Sequence, residues 1–405
     1  MEDARAAVEA VARESYGRLV AYLAARTRDV AGAEDALGEA LLRAIETWQR
    51  DGVPRQPEAW LLAAARHRLI DRARHERVRA DSVPTLELLA EEGGEAAPPD
   101  RFPDERLKLL FVCAHPAIDP GVHTPLMLQA VLGLDAVRIA QAFLVSPAAM
   151  GQRLVRAKTK IRDAGIAFEV PEERELPQRL EAVLEAIYAA YGSGWEDAAG
   201  TDSRRRGLGD EAVRLARLLV LQMPDEPEAR GLLALMLHCE ARRPARRTSD
   251  GRYVPLSEQD VRCWSGPTIE EAERELTAAA KMARPGRFQT EAAIQSVHSE
   301  RARSGRTDWR AIASFYDGLA RLAPTLGART GQAAAVAEAD GPEAGLALLN
   351  EIERAEVAAY QPYWAVRAHL LKKLGRGAEA SAAFERAIGL SEDAAVRQFL
   401  LEQRG

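Results

Sequence analysis

Along most of this chain apolar residues recur every three or four positions, the spacing that gathers them on one face of an α-helix. Leu19, Val20, Leu23 and Ala24 make such a stripe and predict a helix over 2–25. Ala33, Leu37, Leu41, Ile45 and Trp48 predict a second over 31–48. Asp51-Gly52-Val53-Pro54-Arg55-Gln56-Pro57 interrupts the pattern, since one glycine and two prolines do not continue a helix. A third helix follows over 58–79.

From 81 to 104 the periodicity stops. Glu87, Glu91, Glu92, Glu95 and Asp100, with Gly93-Gly94 and Pro98-Pro99, read as an acidic linker in which 85–90 forms a short helical turn. Helical spacing resumes over 106–115 and again over 125–132, where Gly133 punctuates it. A short helix over 135–144 precedes Val145-Ser146-Pro147, in which Ser146 suits an N-cap and Pro147 the first helical position. The next helix runs to about 164. Short helix, tight turn and capped basic helix predict a helix-turn-helix.

Residues 170–177 form a second boundary, and from there the chain reads as helical almost to its end. The main interruption is 243–267, within which Arg252-Tyr253-Val254 is the stretch that reads as extended. A weak repeat relates Gly341-Pro342-Glu343-Ala344 to Gly377-Ala378-Glu379-Ala380, at about the period of a tetratricopeptide repeat. A generic Ala-rich helical bundle is the alternative. The predicted class is all-α.

Composition sharpens this picture. The 405 residues suffice for two to four domains. Apolar residues are 47% and aromatics 5%, a balance that suits helices over strands. The absence of an apolar run of about 18 residues predicts no membrane span. A charged N-terminus without a signal-peptide core predicts a cytoplasmic protein. Cys113, Cys239 and Cys263 are an odd, scattered set that argues against a disulfide framework and lacks metal-ligand spacing. No metal or cofactor is expected.

The net charge of −6 hides segregation. Arg55, Arg66, Arg68, Arg72, Arg74, Arg77 and Arg79 face only Glu58, Asp71 and Glu76 in the same stretch. Arg153, Arg156, Lys158, Lys160 and Arg162 form a second basic run without an acid. Local potential, not net charge, attracts phosphate. Neither a glycine-rich phosphate loop nor a nucleophile motif occurs, so no enzyme is predicted.

The order of these features resembles the extracytoplasmic-function (ECF) sigma factors of bacterial RNA polymerase. Ala33-Glu34-Asp35-Ala36-Leu37-Gly38-Glu39, with Leu42-Arg43-Ala44, is similar to their region 2. Pro57-Glu58-Ala59-Trp60-Leu61-Leu62 through Leu69-Ile70-Asp71 is similar to the promoter-melting helix of that region. Ile139-Ala140, Val145-Ser146-Pro147 and Arg153-Leu154-Val155-Arg156-Ala157-Lys158 are similar to region 4. A tetratricopeptide-like extension, with Asp250-Gly251-Arg252 and Glu258-Gln259-Asp260, resembles one ECF subfamily. The chain departs from the family at Gly38, where glutamine is frequent, and at Arg138, where glutamate is usual.

The resemblance implies region 2 over 1–80, the linker over 81–104, region 4 over 105–170 and a regulatory extension over 178–405. It implies core RNA polymerase and promoter DNA as partners. Glu34, Asp35 and Glu39 would meet the polymerase clamp, although acids early in a helix also serve as an ordinary solvated face. Arg66, Arg68, Arg72 and Arg74 would neutralise phosphates near the minus-ten element, with His67, Asp71 and His75 along one face. The loop 51–57 would catch a flipped base. Trp60 reads either as a core residue or as a stacking platform. The acidic linker would imitate RNA in the polymerase cleft, or act as a plain tether.

In the helix from Pro147, Gln152 and Arg153 are placed to read bases, while Arg156, Lys158 and Lys160 are placed to grip phosphate. Leu154, Val155 and Ile161 are expected to face the core. The extension would bind a protein partner or pack on the sigma modules. Asp250, Gly251 and Arg252 would be the contact loop in the second case, Tyr253, Val254 and Trp264 its apolar anchors, and Glu258 and Asp260 acids for the helices near Arg74 or Lys158. Two other classes compete: a helix-turn-helix regulator with a tetratricopeptide sensor domain, which leaves 34–79 unexplained, and a peptide-binding scaffold, which leaves both basic helices unexplained.

Overall fold

The computed structural model describes residues 2–77, 103–143, 145–195 and 203–404. The predicted acidic linker and its helical turn at 85–90 lie outside the described residues, apart from 103 and 104. The fold is all-α, and among the described residues the strand-like pairing is an isolated antiparallel bridge between Arg247 and Tyr253. Among the described residues no helix is long and apolar enough to cross a membrane. The chain divides into two compact units, 1–190 and 191–405.

In the first unit α1 (Glu2–Thr27), α2 (Val30–Asp51) and α3 (Pro57–Arg77) pack on one another. Leu19, Val20, Leu23 and Ala24 are fully buried. The buried face of α2 is Ala33, Ala36, Leu37, Ala40, Ala44 and Trp48, with Leu41 and Ile45 half-buried at its margin. Gly52, at φ +85°, ends the helix in a conformation that side chains avoid. On α3, Leu61, Leu62, Ala65, Leu69 and Ala73 form the core stripe. Trp60 is half-buried and meets Trp48 edge-on, with ring centroids 5.6 Å apart.

Four shorter helices complete the part of this unit that bears on the site: α4 (Arg106–Cys113), α5 (Pro120–Ala130), α6 (Ala136–Ala142) and α7 (Pro147–Asp163). α5 starts at Pro120, earlier than the expected 125. Asp119 caps it by accepting from the Gly121 amide at 2.9 Å, and Pro120 takes the first position. Pro125 then lies within the helix, where one backbone bond is missing. α4 is buried along its last five residues, with Leu109, Leu110, Phe111, Val112 and Cys113 each fully shielded, while Arg106 and Lys108 in its first turn stay partly exposed. A stretch shielded all round lies between two layers, and α4 packs on both α1 and α5. α8 (Leu176–Trp195) ends the unit and leads into the second.

The second unit is a succession of helices packed on their neighbours: α9 (Ser203–Gln222), α10 (Pro227–Arg242), α11 (Gly266–Lys281), α12 (Arg287–Ser299), α13 (Trp309–Leu322), α14 (Leu326–Asp340), α15 (Pro342–Asn350), α16 (Gln361–Lys373), α17 (Gly377–Leu390) and α18 (Ala394–Arg404). One cluster of buried residues holds Ile294, Ile312, Leu319, Ala328 and Ala335. Another holds Leu346, Leu349, Tyr363, Leu370, Phe384 and Leu400. In α15 the tightly buried small residue is Gly345, while Ala344 is half-buried. The burial pattern therefore pairs Gly345 with Ala380, Leu349 with Phe384 and Ile352 with Ala387.

The interruption at 243–265 is folded into this unit. It contains 3-10 turns at Arg243–Arg246, Leu256–Glu258 and Val261–Cys263. Tyr253 packs edge-on against Phe399 at 5.5 Å, and Arg247 forms an ion pair with Asp393. Trp264 is buried, with the guanidinium groups of Arg301 and Arg242 at 5.0 and 5.9 Å from its ring. Arg301 donates to the carbonyls of Ser257 at 2.7 Å and Gln259 at 2.8 Å. Tyr253 and Trp264 are thus internal packing residues, not free apolar anchors, because the segment returns to cover the helix ends beside it.

Candidate nucleic-acid and partner interface

Two opposite tendencies act on α2. Its apolar stripe turns inward, which leaves Asp35 and Glu39 outward as an i, i+4 pair of like charge, unfavourable by a few tenths of a kcal/mol. α3 supplies the counter-charges. Arg72 lies 3.4 Å from Asp35, and Arg68 lies 2.9 Å from Glu39. All four side chains are about half exposed or more, so each pair contributes only about 0–1 kcal/mol and exchanges readily for another partner. The pairs border a groove of about 360 Å³ that also takes in Gly32, Ala36, Leu69 and Asp71. His67, Asp71 and Arg74 are exposed on α3, and Arg66 is half-buried. The acids expected to meet polymerase and the arginines expected to meet DNA are therefore neighbours. The side chain of His75 lies outside the described residues.

α7 begins as its sequence dictates. Ser146 Oγ accepts from the Ala149 amide at 3.2 Å, and Pro147 occupies the first turn. Met150, Leu154, Ala157 and Ile161 form the buried stripe. Val155 does not join it. Its side chain is 64% exposed, because residues adjacent in a helix point about 100° apart and Leu154 already holds the inward position. Gln152, Arg153, Arg156 and Lys160 are exposed as well.

Lys158 is the exception among the basic residues of α7. It lies four residues after Leu154, on the apolar stripe, and its side chain is only 9% exposed. Its Nζ donates to the carboxylate of Glu34, itself 14% exposed. Burial raises the pKa of Glu34. The charge and hydrogen bond of Lys158 oppose that shift, while Asp35 and Asp29 reinforce it. Burial, then the charge of Glu34, raises the phenol of Tyr16 and the thiol of Cys113. Glu34 and Lys158, expected on separate contact surfaces, thus meet each other. The helical position of Lys158 carried that signal, which the density of positive charge around it obscured.

Asp250, Gly251 and Arg252 form an exposed turn that closes on itself. Gly251 has φ +85°, Arg252 Nε donates to Asp250 at 2.8 Å, and Thr248 donates to Asp250 through its hydroxyl. The Thr248 hydrogen bond, more than the charge of Arg252, holds the Asp250 carboxyl below its usual range. Asp260 caps the next turn and pairs with Arg262 at 2.7 Å. Among the described residues no group of three or more His, Cys, Asp or Glu side chains converges as a metal site.

Residues 12–79 match Sigma-70 region 2, and residues 179–280 match a family of unknown function (DUF6596). An uncharacterized protein of Rhizobium meliloti (strain 1021) is 39% identical over 396 residues, which cover 96% of this chain and 92% of the relative. No solved structure matches. The chain belongs to one family with that protein and is a sigma-70 family factor, with a sigma-factor-like role in transcription initiation and core RNA polymerase as the partner that region 2 implies.

Proposed function

From that membership we propose that the chain is an alternative sigma factor of the ECF class, with region 2 over 1–80, an acidic linker over 81–104, region 4 over 105–170 and a tetratricopeptide-like regulatory extension over 178–405. Region 2 docks on polymerase through Glu34, Asp35 and Glu39 and holds promoter DNA near the minus-ten element through Arg66, His67, Arg68, Asp71, Arg72 and Arg74. Region 4 lays α7 in the major groove, where Gln152 and Arg153 read bases and Arg156, Lys158 and Lys160 grip phosphate. The observation that carries this reading is α7 itself: a capped helix downstream of region 2, apolar on its inner face, with Gln152, Arg153, Arg156 and Lys160 exposed on the outer one.

The test is promoter selection with purified core polymerase, followed by run-off transcription. Arg153→Ala relaxes sequence preference at one upstream position, by about 1–3 kcal/mol. Lys160→Ala weakens binding to all sequences and lowers the salt slope by about one unit. Identical sequence preferences for both variants would reject the division of labour. The extension acts as regulator through its exposed Asp250-Gly251-Arg252 turn or through a bound protein. Truncation after Pro177, and separately Asp250→Ala with Arg252→Ala, decides between these, since only the first route alters transcription when core polymerase is the sole partner.

A further inference from the structure

The last residue of α10, Arg242, buries a charge without an opposite one. It is 5% exposed, yet among the described residues no carboxylate pairs with it. Its Nη2 donates to Gln295 Oε1, a neutral acceptor, and lies 3.9 Å from Cys239 Sγ. Its Nη1 is buried without a hydrogen-bond partner. The Trp264 ring lies 5.9 Å from the guanidinium, and the indole Nε1 is a second buried donor without a partner. A second guanidinium, that of Arg301, stands 5.0 Å from the same ring. Its terminal nitrogens serve the carbonyls of Ser257 and Gln259, and among the described residues no carboxylate pairs with it either. Burial, then the charge of Arg242, disfavours its charged form. Burial and then the charge of Arg242 also draw His238 down to about 3 and His298 to about 4, so both rings are neutral at neutral pH. Glu273, the acid beside His238 at 3.5 Å, is engaged by the Ser296 hydroxyl at 2.6 Å.

An uncompensated charge in the interior is strongly unfavourable, and one neutral acceptor replaces little of its hydration. Two orphaned donors beside a surplus of positive charge make the lining of an anion site. We propose that Arg242, Trp264 and Arg301 form a binding site for one small oxyanion, either phosphate or the carboxylate of a metabolite. Arg242 Nη1 and Trp264 Nε1 donate to it. Arg301 adds charge, while its own nitrogens hold the turn at 257–259. Both donor atoms are shielded from water, so the ligand is compact, and the phosphates of a duplex do not reach them. The bound anion joins the end of α10, the segment that carries Trp264 and the turn after α12 that carries Arg301. Occupancy therefore stabilises the second unit and fastens the 256–264 segment to it. Arg242 and Trp264 lie in the stretch that matches the family of unknown function, which thereby gains a ligand class. The site is independent of how the first unit meets polymerase or DNA.

The test titrates the full chain with inorganic phosphate and, separately, with acetate, at an ionic strength fixed by chloride. At least one of them should raise Tm along a saturating curve, by about 5–10 °C at a hundredfold excess over Kd. Which of the two saturates tells phosphate from carboxylate. Exclusion of salt from the protein surface raises Tm without saturation and is thereby told apart from binding. Hydrogen exchange, read by mass spectrometry, should slow in peptides covering 256–264 and 295–301 as the site fills. Arg242→Met fills the same space without the charge. It should abolish the saturating response and melt no lower than the unaltered chain does without anion. Trp264→Phe removes only the indole donor and should weaken binding on the order of tenfold. If Arg242→Met fails to fold, Trp264→Phe and the exchange pattern of the unaltered chain carry the decision. Flat titrations with both probes, saturation that survives in Arg242→Met, or exchange that slows only elsewhere in the chain would each overturn the proposal.

Discussion

Two charged surfaces of the molecule look alike in sequence and differ in construction. On α2, Asp35 and Glu39 project from a helix and find their counter-charges on another helix, across a groove, through side chains that remain exposed. In the 243–265 segment the acids of the two turns are satisfied within a few residues, Asp250 by Thr248 and Arg252, Asp260 by Arg262. The apolar neighbours of that segment are buried against its own unit. The first arrangement leaves charge ready for a competing partner. The second ties charge into the shape of a turn. Partner-binding capacity is thus read less from the number of charges than from how far away their present partners lie.

The sharpest way to break this comparison is to reverse the charges on α2. Asp35→Lys with Glu39→Lys should reduce affinity for core polymerase by more than about a hundredfold, the scale of a few lost charge contacts with repulsion added. The α2 core face, Leu37, Ala44 and Trp48, is untouched, so helical content should hold. Co-sedimentation with core polymerase and circular dichroism measure the two. Unchanged assembly would remove the docking role of this surface.

The second arrangement makes the opposite prediction, a large effect on stability. Trp264→Ala removes a buried indole with two guanidinium groups within 6 Å of its ring and should destabilise the protein by about 3–5 kcal/mol in denaturant titration. A loss below about 1 kcal/mol would show that the segment is not integral to its unit.

How far the sequence disclosed these differences depends on the kind of signal. Helices were legible wherever apolar spacing was regular, as at Leu19 to Ala24, and caps wherever their chemistry is local, as at Ser146-Pro147. Pro125 suggests a helix start at its own position, but Asp119-Pro120 supplies the cap and α5 begins there. The apolar chemistry of Val155 predicts an inward position, whereas its place beside Leu154 turns it outward. The pairing of Glu34 with Lys158, and of Arg247 with Asp393, joins residues distant in the chain, and periodicity within one helix carries no information about such partners. The glycine turns align Ala344 with Ala380, whereas burial sets Gly345 opposite Ala380, because a helix turns its tightest small residue inward wherever that residue stands in the motif.

A smaller effect comes from pH. His238 is fully buried in α10, with Ser299 at 3.1 Å from one ring nitrogen, Glu273 at 3.5 Å from the other and Arg242 nearby. Burial, then the charge of Arg242, draws its pKa down to about 3. The unfolded chain takes up the proton near pH ~6.5 while the folded protein does not. The stability that neutral His238 contributes is therefore complete above that pH. It is lost as the pH falls towards 3, at no more than about 1.4 kcal/mol per pH unit for this one group. Urea midpoints between pH 8 and 4.5 measure the slope. His238→Gln should flatten it, and an unaltered slope would assign the loss to other groups.

The smallest expected effect tests the self-contained turn. Asp250→Ala removes a carboxylate that accepts from Thr248 and Arg252, both within two residues of it. The side chains of Asp250 and Arg252 are 57% and 68% exposed, so water screens their attraction and re-solvates whichever partner is left. The loss of stability should be too small to shift the denaturation midpoint measurably. Gly251 gives the contrast within the same turn. At φ +85° any side chain is strained, and Gly251→Val should cost about 1–3 kcal/mol although nothing lies within 4 Å of the added Cβ. Chemical denaturation of both variants ranks them. If Asp250→Ala proves the more damaging, the carboxylate is bound to something more distant than its own turn, and the contrast with the acids of α2 disappears.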